Sequence, residues 1–127
     1  MDTQLYDQAG RPKPTEIRLR KEEKQLLVSF ADGHSFTFPA ELLRVESPSA
    51  EVQGHNPSQK QIISGRRHVG IMGIEPVGHY AVRLQFDDLH DTGLFSWSYL
   101  YSLGLSQEEV WEAYLANLEK EGLSRDP

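Results

Sequence analysis

The sequence contains no cysteine, and this absence limits its chemistry. Without thiolates the chain can form no disulfide, use no cysteine nucleophile and offer no cysteine ligand to zinc or an iron–sulfur cluster. No hydrophobic run reaches the roughly 18–20 residues that a membrane-spanning helix needs. The first four residues are not a basic start followed by an apolar stretch, so we find no secretory signal. We therefore expect a cytoplasmic protein with no membrane partner.

The composition is typical of a globular protein, with 127 residues, of which 38% are hydrophobic and 25% charged. The net charge of −6 is unevenly placed. Residues 1–67 carry ten Lys and Arg against nine Asp and Glu, whereas residues 68–127 carry three against ten. An acidic second half repels phosphate backbones, so the sequence disfavours nucleic acid as a partner.

Alternating apolar and polar residues predict six β-strands, near residues 16–20, 26–30, 35–38, 69–74, 80–86 and 93–96. Residues 1–13 are polar and broken by glycine and proline, which indicates a flexible lead-in. The rest, residues 14–122, is predicted to be a single domain. Its last helix has an apolar face formed by Val110, Trp111, Tyr114, Leu115 and Leu118. Ser106 and Glu109 predict a capping box at the start of this helix, and Gly122 predicts its end.

Two segments of the chain share Phe, Asp and His at identical offsets. They are Phe30-Ala31-Asp32-Gly33-His34 and Phe86-Asp87-Asp88-Leu89-His90. Each follows a pair of predicted strands and precedes an aromatic strand and a short helical turn. The sequence therefore predicts an α+β fold whose antiparallel sheet is built from two related strand–strand–turn–strand–helix halves, followed by a C-terminal helix.

The second of these turns is the best candidate for a metal site. His90 lies beside Asp88 and Asp91, and imidazole with carboxylates can bind zinc or iron. His34, from the paired turn, would join them if the two halves face each other. Asp and His are also common turn formers, so an ordinary structural turn is the competing interpretation. No other cofactor is indicated by the sequence.

The segment from Glu46 to Gly65 has no clear periodicity, and long irregular loops are often functional. We therefore expect the contact surface in the irregular loop from Ser47 to Arg67. His55, Lys60, Arg66 and Arg67 are its candidate binding residues. The basic group beside Gly65 predicts either an anion-binding loop or a solvated loop that happens to be basic. The chain has no Gly-x-Ser-x-Gly elbow, no phosphate-binding glycine loop and no His-Glu-x-x-His helix, so we expect no enzyme.

Several motifs resemble one known family. They are the turn at Asp32-Gly33-His34, the run from Leu42 to Val52, the strand start from Val77 to Val82, and the turn from Asp88 to Gly93 with Trp97 and Leu100. Over about Pro14 to Leu103 the chain is similar to the gamma-butyrobetaine hydroxylase-like N-terminal domain, long a domain of unknown function. That family includes free-standing bacterial proteins and domains fused to iron- and 2-oxoglutarate-dependent hydroxylases or to ATPases that scaffold iron–sulfur clusters.

In the hydroxylases, the resembling domain holds zinc through a Cys-x-Cys-x-x-Cys run and one histidine. The corresponding positions here are Ser47, Ser49, Val52 and His90. Serine and valine do not replace thiolates at zinc, so the resemblance implies that this structural zinc is absent. In the hydroxylases the catalytic domain is separate from this one, so the resemblance does not lead us to expect hydroxylase activity in these 127 residues.

Together these observations favour a non-catalytic interaction or accessory module with an unknown protein partner, linked by the resemblance to iron–sulfur or iron-enzyme assembly. The alternative is a metal-binding protein using His90 and neighbouring carboxylates. A small-molecule binder or enzyme at that acidic turn is the third hypothesis. The sequence leaves the oligomeric state open.

Overall fold

The computed structural model describes residues 5–7 and 9–127. Within these residues the elements follow one another along the chain as β1 (Pro14–Arg20), β2 (Gln25–Phe30), β3 (Ser35–Pro39), α1 (Ala40–Val45), α2 (Ala50–Gln53), a 3₁₀ turn (Pro57–Gln59), β4 (Ile71–Val77), β5 (Ala81–Phe86), β6 (Leu94–Ser96), α3 (Trp97–Leu105) and α4 (Gln107–Lys120). No helix among them is long and apolar enough to cross a membrane.

The strands form two three-stranded antiparallel sheets, one from each half of the chain. The first has the order β1-β2-β3 and continues into α1, and the second has the order β4-β5-β6 and continues into α3. The predicted α+β class, with antiparallel strands from two related halves and a helix at the end, is therefore confirmed. Each half contributes a sheet of its own.

One hydrophobic core joins the two sheets. Alternate side chains of β2 and β5 point inward, so each sheet is apolar on the face toward the core and more polar on the other. Helices α1 and α3 pack onto the same core. Its buried members include Leu26, Val28, Phe38, Leu42, Leu43, Leu84, Phe86, Phe95 and Leu100. A smaller cluster of Val45, Tyr114 and Leu118 lies beneath α4.

The two related turns have the same backbone geometry. In the first, Phe30 N–H donates to His34 O over 2.7 Å and Gly33 N–H donates to Phe30 O over 3.0 Å. In the second, Phe86 N–H donates to His90 O over 3.0 Å and Leu89 N–H donates to Phe86 O over 3.1 Å. The aspartates also make the same hydrogen bond. Asp32 Oδ1 accepts from His34 N–H over 3.1 Å, and Asp88 Oδ1 accepts from His90 N–H over 3.2 Å.

Two local predictions were wrong. The segment from Glu46 to Gly65 is not irregular throughout, because it contains α2, capped by the side chain of Ser49, and the 3₁₀ turn, capped by Asn56. The capping box at the start of α4 does not form. Ser106 ends α3 and begins α4 with a non-extended backbone, and its hydroxyl donates back to Ser102 O over 2.9 Å.

The other predictions for the two ends of the chain agree more closely with the structure. Tyr114 and Leu118 of α4 are buried as predicted, whereas Leu115 is exposed. Gly122 follows the helix with a positive φ of 67°. The predicted lead-in, residues 1–13, lies partly outside the described residues. Its described part folds back on itself through a bridge between Tyr6 and Pro12.

The fourth position of the repeated turn, between Asp and His, requires a positive φ, which glycine adopts without a steric cost. Gly33 has φ 94°, but the second turn has Leu89 there with φ 72°, and this side chain is 84% exposed. We predict that Leu89→Gly stabilises the protein by about 1 kcal/mol, because it removes backbone strain and sacrifices little packing. The reciprocal Gly33→Leu should destabilise it by about 1–2 kcal/mol, since open space surrounds that position and only the backbone cost remains. Urea unfolding of both variants tests this, and equal signs would contradict it.

Candidate functional site

His90 is held by two side-chain hydrogen bonds in the interior. Its Nε2 lies 2.9 Å from Ser47 Oγ, and its Nδ1 lies 3.2 Å from Glu51 Oε2. Ser47 belongs to the chain just after α1 and Glu51 to α2, so the segment between the halves reaches over to the second turn. Burial lowers the pKa of His90 below its usual value, and the nearby Arg44 charge adds to this. In the neutral ring, Nδ1–H donates to Glu51 while Nε2 accepts from the Ser47 hydroxyl.

The contacts of His90 have the connectivity of a serine-hydrolase triad, hydroxyl to imidazole to carboxylate. The hydroxyl is nevertheless out of reach, because Ser47 is 0% exposed. Gly93 presses against it so closely that an added Cβ would lie 2.3 Å from Ser47 Oγ. Ser47 Oγ also accepts a hydrogen bond from Ser49 N–H over 3.3 Å. These contacts fix the position of the imidazole in the interior and leave no space for a substrate carbonyl.

Asp88, next to His90 in the turn, is bound by two arginines. Arg44 Nε and Arg66 Nε each donate to its Oδ2 over 2.7 Å. Burial taken alone raises the pKa of Asp88, but the hydrogen bond from Arg44, the N–H of His90 and the two guanidinium groups together hold that pKa below its usual value. One carboxylate faces two cations here, and Nη1 of Arg44 is buried without a hydrogen-bond partner among the described residues.

His34 occupies the equivalent place in the first turn but a different environment. Its Nδ1 lies 2.9 Å from Asp32 Oδ2, and the Tyr101 hydroxyl donates to the same carboxylate. The hydrogen bond from Tyr101 is the main reason that the pKa of Asp32 is lowered, and the same bond raises the pKa of Tyr101. The side chain of His34 is 48% exposed, so this cluster lies at the surface.

The four predicted metal residues do not come together as a ligand set. His34 contacts Asp32 and Tyr101, while His90 contacts Ser47 and Glu51. Asp88 is committed to two arginines, and Asp91 lies 3.7 Å from Arg83. The described part of the chain contains no group of three or more His, Cys, Asp or Glu that would hold a metal ion. Metal binding at His90 stays a hypothesis that the arrangement of its neighbours does not favour.

The basic residues of the predicted anion-binding loop are paired within the protein. Lys60 Nζ donates to Glu46 over 2.7 Å, Arg66 bonds to Asp88, and Arg67 bonds to Asp126. Backbone contacts also fix the loop, since Gln61 N–H donates to Val52 O over 2.7 Å and the Tyr114 hydroxyl donates to Ile63 O over 2.6 Å. The side chain of His55 is exposed. The charges of these basic residues are therefore balanced internally, which favours a structural loop over an anion site.

Comparison with known proteins identifies the family of the chain. The family model for gamma-butyrobetaine hydroxylase-like N-terminal domains matches residues 17–101. The chain belongs to this family. No curated protein matches it.

Solved structures similar to the chain include two proteins determined in solution by NMR. One is 49% identical with a TM-score of 0.79, over 91% of this chain and 90% of its own. The other is 47% identical with a TM-score of 0.80, over 97% and 92%. A third is a crystal structure at 1.93 Å of a protein of unknown function in the DUF971 family, from Acidithiobacillus ferrooxidans ATCC 23270, 42% identical with a TM-score of 0.61 over 72% and 92%.

Three of the four positions that carry zinc in the hydroxylases are in contact in this member of the family. Ser47, Ser49, Val52 and His90 are all buried, and Ser47 touches both His90 and Ser49. The residues present do not fit zinc, because His90 alone among them is a normal zinc ligand and its Nε2 is already hydrogen-bonded to Ser47. A hydrogen-bonded cluster fills the place instead.

Sequence reasoning missed three residues of this site. Arg44 is separated from Asp88 by 44 positions, and Glu51 from His90 by 39. The hydroxyl of Tyr99 donates to Glu46 O, and its burial raises its pKa. No local pattern identifies such long-range partners. The charged residues Arg44 and Glu41 inside the apolar helix Ala40–Val45 were the available signal, since buried charges require partners.

The Ser47–His90 hydrogen bond provides a direct test of this assignment. We predict that Ser47→Ala lowers the free energy of unfolding by about 1–3 kcal/mol, because it leaves the buried Nε2 of His90 without its hydrogen bond. Ser35→Ala is the matched control, since its hydroxyl bonds to Ser29 at an exposed site and its loss should change stability by less than about 0.5 kcal/mol. Chemical unfolding of the two variants gives both values. Equal effects would show that the Ser47–His90 contact is not a stabilising one.

Proposed function

We propose that this domain is a non-catalytic interaction module and that it recognises a partner protein through residues 55–62. The observation that supports this most strongly is a contrast within the molecule. The side chains that carry chemistry at the second turn are buried and bound to one another, whereas residues 55–62 are exposed. Rigid scaffolds commonly carry recognition on such loops.

The exposed segment borders a groove of about 380 Å³. Its floor is apolar, with Val45, Ile63, Val110 and Tyr114 between the loop and α4, and Ile62 lies at its rim with 36% of its surface exposed. Burying apolar surface at the centre of a contact, with polar groups around it, is the usual composition of a protein interface. Lys60, Gln61 and Asn117 supply the polar surroundings here.

The segment is also held in a defined shape before any partner arrives. Gly54 N–H donates to Ala50 O over 2.9 Å, and His55 N–H donates to Gln59 Oε1 over 2.8 Å. A preorganised loop loses less conformational entropy on binding than a disordered one, so these contacts favour recognition. A cytoplasmic location, expected from the sequence, belongs to the same proposal. So does a partner engaged in iron–sulfur or iron-enzyme assembly, which rests on the family's fusions alone.

Substitution at the rim of the groove tests the proposal. A photo-crosslinking amino acid at Ser58 would capture the partner from cells, and the purified partner would then be titrated by calorimetry. We expect Ile62→Lys to weaken binding at least tenfold, because a charge would have to be buried at an apolar contact.

Leu94→Lys is the matched control for Ile62→Lys. Leu94 lies in β6 and is 43% exposed, so the chemical change is the same at a different surface. The control should bind like the wild type. If both variants bind equally well, or only Leu94→Lys loses affinity, recognition does not take place at residues 55–62.

A further inference from the structure

The side chain of Glu41 is the most deeply buried carboxylate that forms an ion pair in the described structure, with 7% of its surface exposed. Both of its oxygens are bound by Arg125, with Nε donating to Oε2 over 2.9 Å and Nη2 donating to Oε1 over 2.6 Å. The guanidinium carbon also lies 5.1 Å from the ring centroid of Trp111. A planar cation is thus recognised by a two-pronged carboxylate and an aromatic face.

The backbone around Arg125 is recognised as well. Gly65 N–H donates to Ser124 O over 2.9 Å, and Arg67 N–H donates to Arg125 O over 3.0 Å. The side chain of Arg67 forms an ion pair with Asp126. Residues from the rest of the domain therefore bind the carbonyl oxygens of Ser124 and Arg125, the side chain of Arg125 and the side chain of Asp126.

We propose that Glu41, Gly65, Arg67 and Trp111 form a binding site for an Arg-Asp segment of a partner protein, which residues 124–126 of this chain occupy in cis. This arginine-binding site is separate from the groove beside residues 55–62 and does not depend on it. Its specificity is for arginine over lysine, because only a guanidinium offers two parallel donors to a carboxylate and stacks flat on the indole.

Energetic considerations favour recognition over simple stabilisation. A buried ion pair contributes little net stability compared with apolar residues of similar size, whereas it discriminates strongly between correct and incorrect partners. Residues 124–126 also make few contacts with the rest of the domain beyond those described above. Leu123, Ser124, Asp126 and Pro127 are exposed, so an outside segment with the same chemistry would displace it without disturbing the core.

A peptide added in trans tests the site in the full-length chain. The receptor is the Arg125→Lys variant, which keeps a positive charge near Glu41 but loses the two parallel hydrogen bonds. The probe is the peptide Gly-Leu-Ser-Arg-Asp-Pro, and the control peptide carries citrulline, which is neutral and of the same shape, in place of arginine. NMR spectra follow the amides of Gly65 and Arg67 and the indole N–H of Trp111.

We expect the arginine peptide to shift these three signals in Arg125→Lys and to bind at least tenfold more tightly than the citrulline peptide. The wild type, whose site is occupied, should need at least tenfold more peptide. The indole of Trp97, bonded to His79 O, should not move. Arg125→Ala is a second receptor, which lacks the side chain that binds Glu41, and should behave alike. Adding Glu41→Gln to Arg125→Lys should remove the preference for arginine.

Absence of peptide binding to a folded Arg125→Lys or Arg125→Ala chain would overturn the proposal, as would equal affinity for the arginine and citrulline peptides. Either result would reduce Arg125 to an intramolecular contact. Neither result bears on the partner that residues 55–62 are proposed to bind, because that groove is tested by Ile62→Lys in a separate titration.

Discussion

The contact between Ser47 and His90 is the constraint on which the arrangement of the two halves depends. It belongs to a polar seam of buried and half-buried groups, formed by Arg44 and Ser47 from the first half and Asp88 and His90 from the second. The two sheets share no strand among the described residues, so side-chain packing and the segment between β3 and β4 connect them. Apolar packing between them is not directional, whereas hydrogen bonds of 2.7–2.9 Å between polar groups favour one relative orientation.

The seam also explains where the surface of this domain remains available for recognition. The imidazole of His90 is bonded to Ser47 and Glu51, and the carboxylate of Asp88 is bonded to Arg44 and Arg66, so these side chains hold the fold together. The loop after Ser47 is tied to the seam through Glu51 and Arg66, and this tie presents residues 55–62 in a fixed shape. At the positions that correspond to the zinc ligands of the hydroxylases, hydrogen bonds from Ser47 make the connection in this chain.

Much of the architecture was predictable from the sequence because it is encoded locally. Alternation identified the strands, and the repeated Phe-x-Asp-x-His pattern identified two turns that share the same hydrogen bonds. The site was less predictable because its contacts join distant residues, such as Arg44 to Asp88. The capping box failed for a related reason. Ser106 fits the local motif, but it lies between two helices and its hydroxyl bonds to the earlier one.

The seam is expected to make one cooperative unit of two separate sheets. Native-state hydrogen exchange at low urea concentrations tests this most directly. It compares the backbone amides of Leu26 and Val28 in β2 with those of Val82 and Leu84 in β5, four residues whose side chains are buried. We expect both sets to exchange with the same free energy and the same dependence on urea, as a single global unfolding requires. Two distinct free energies, with one sheet opening while the other stays protected, would contradict it.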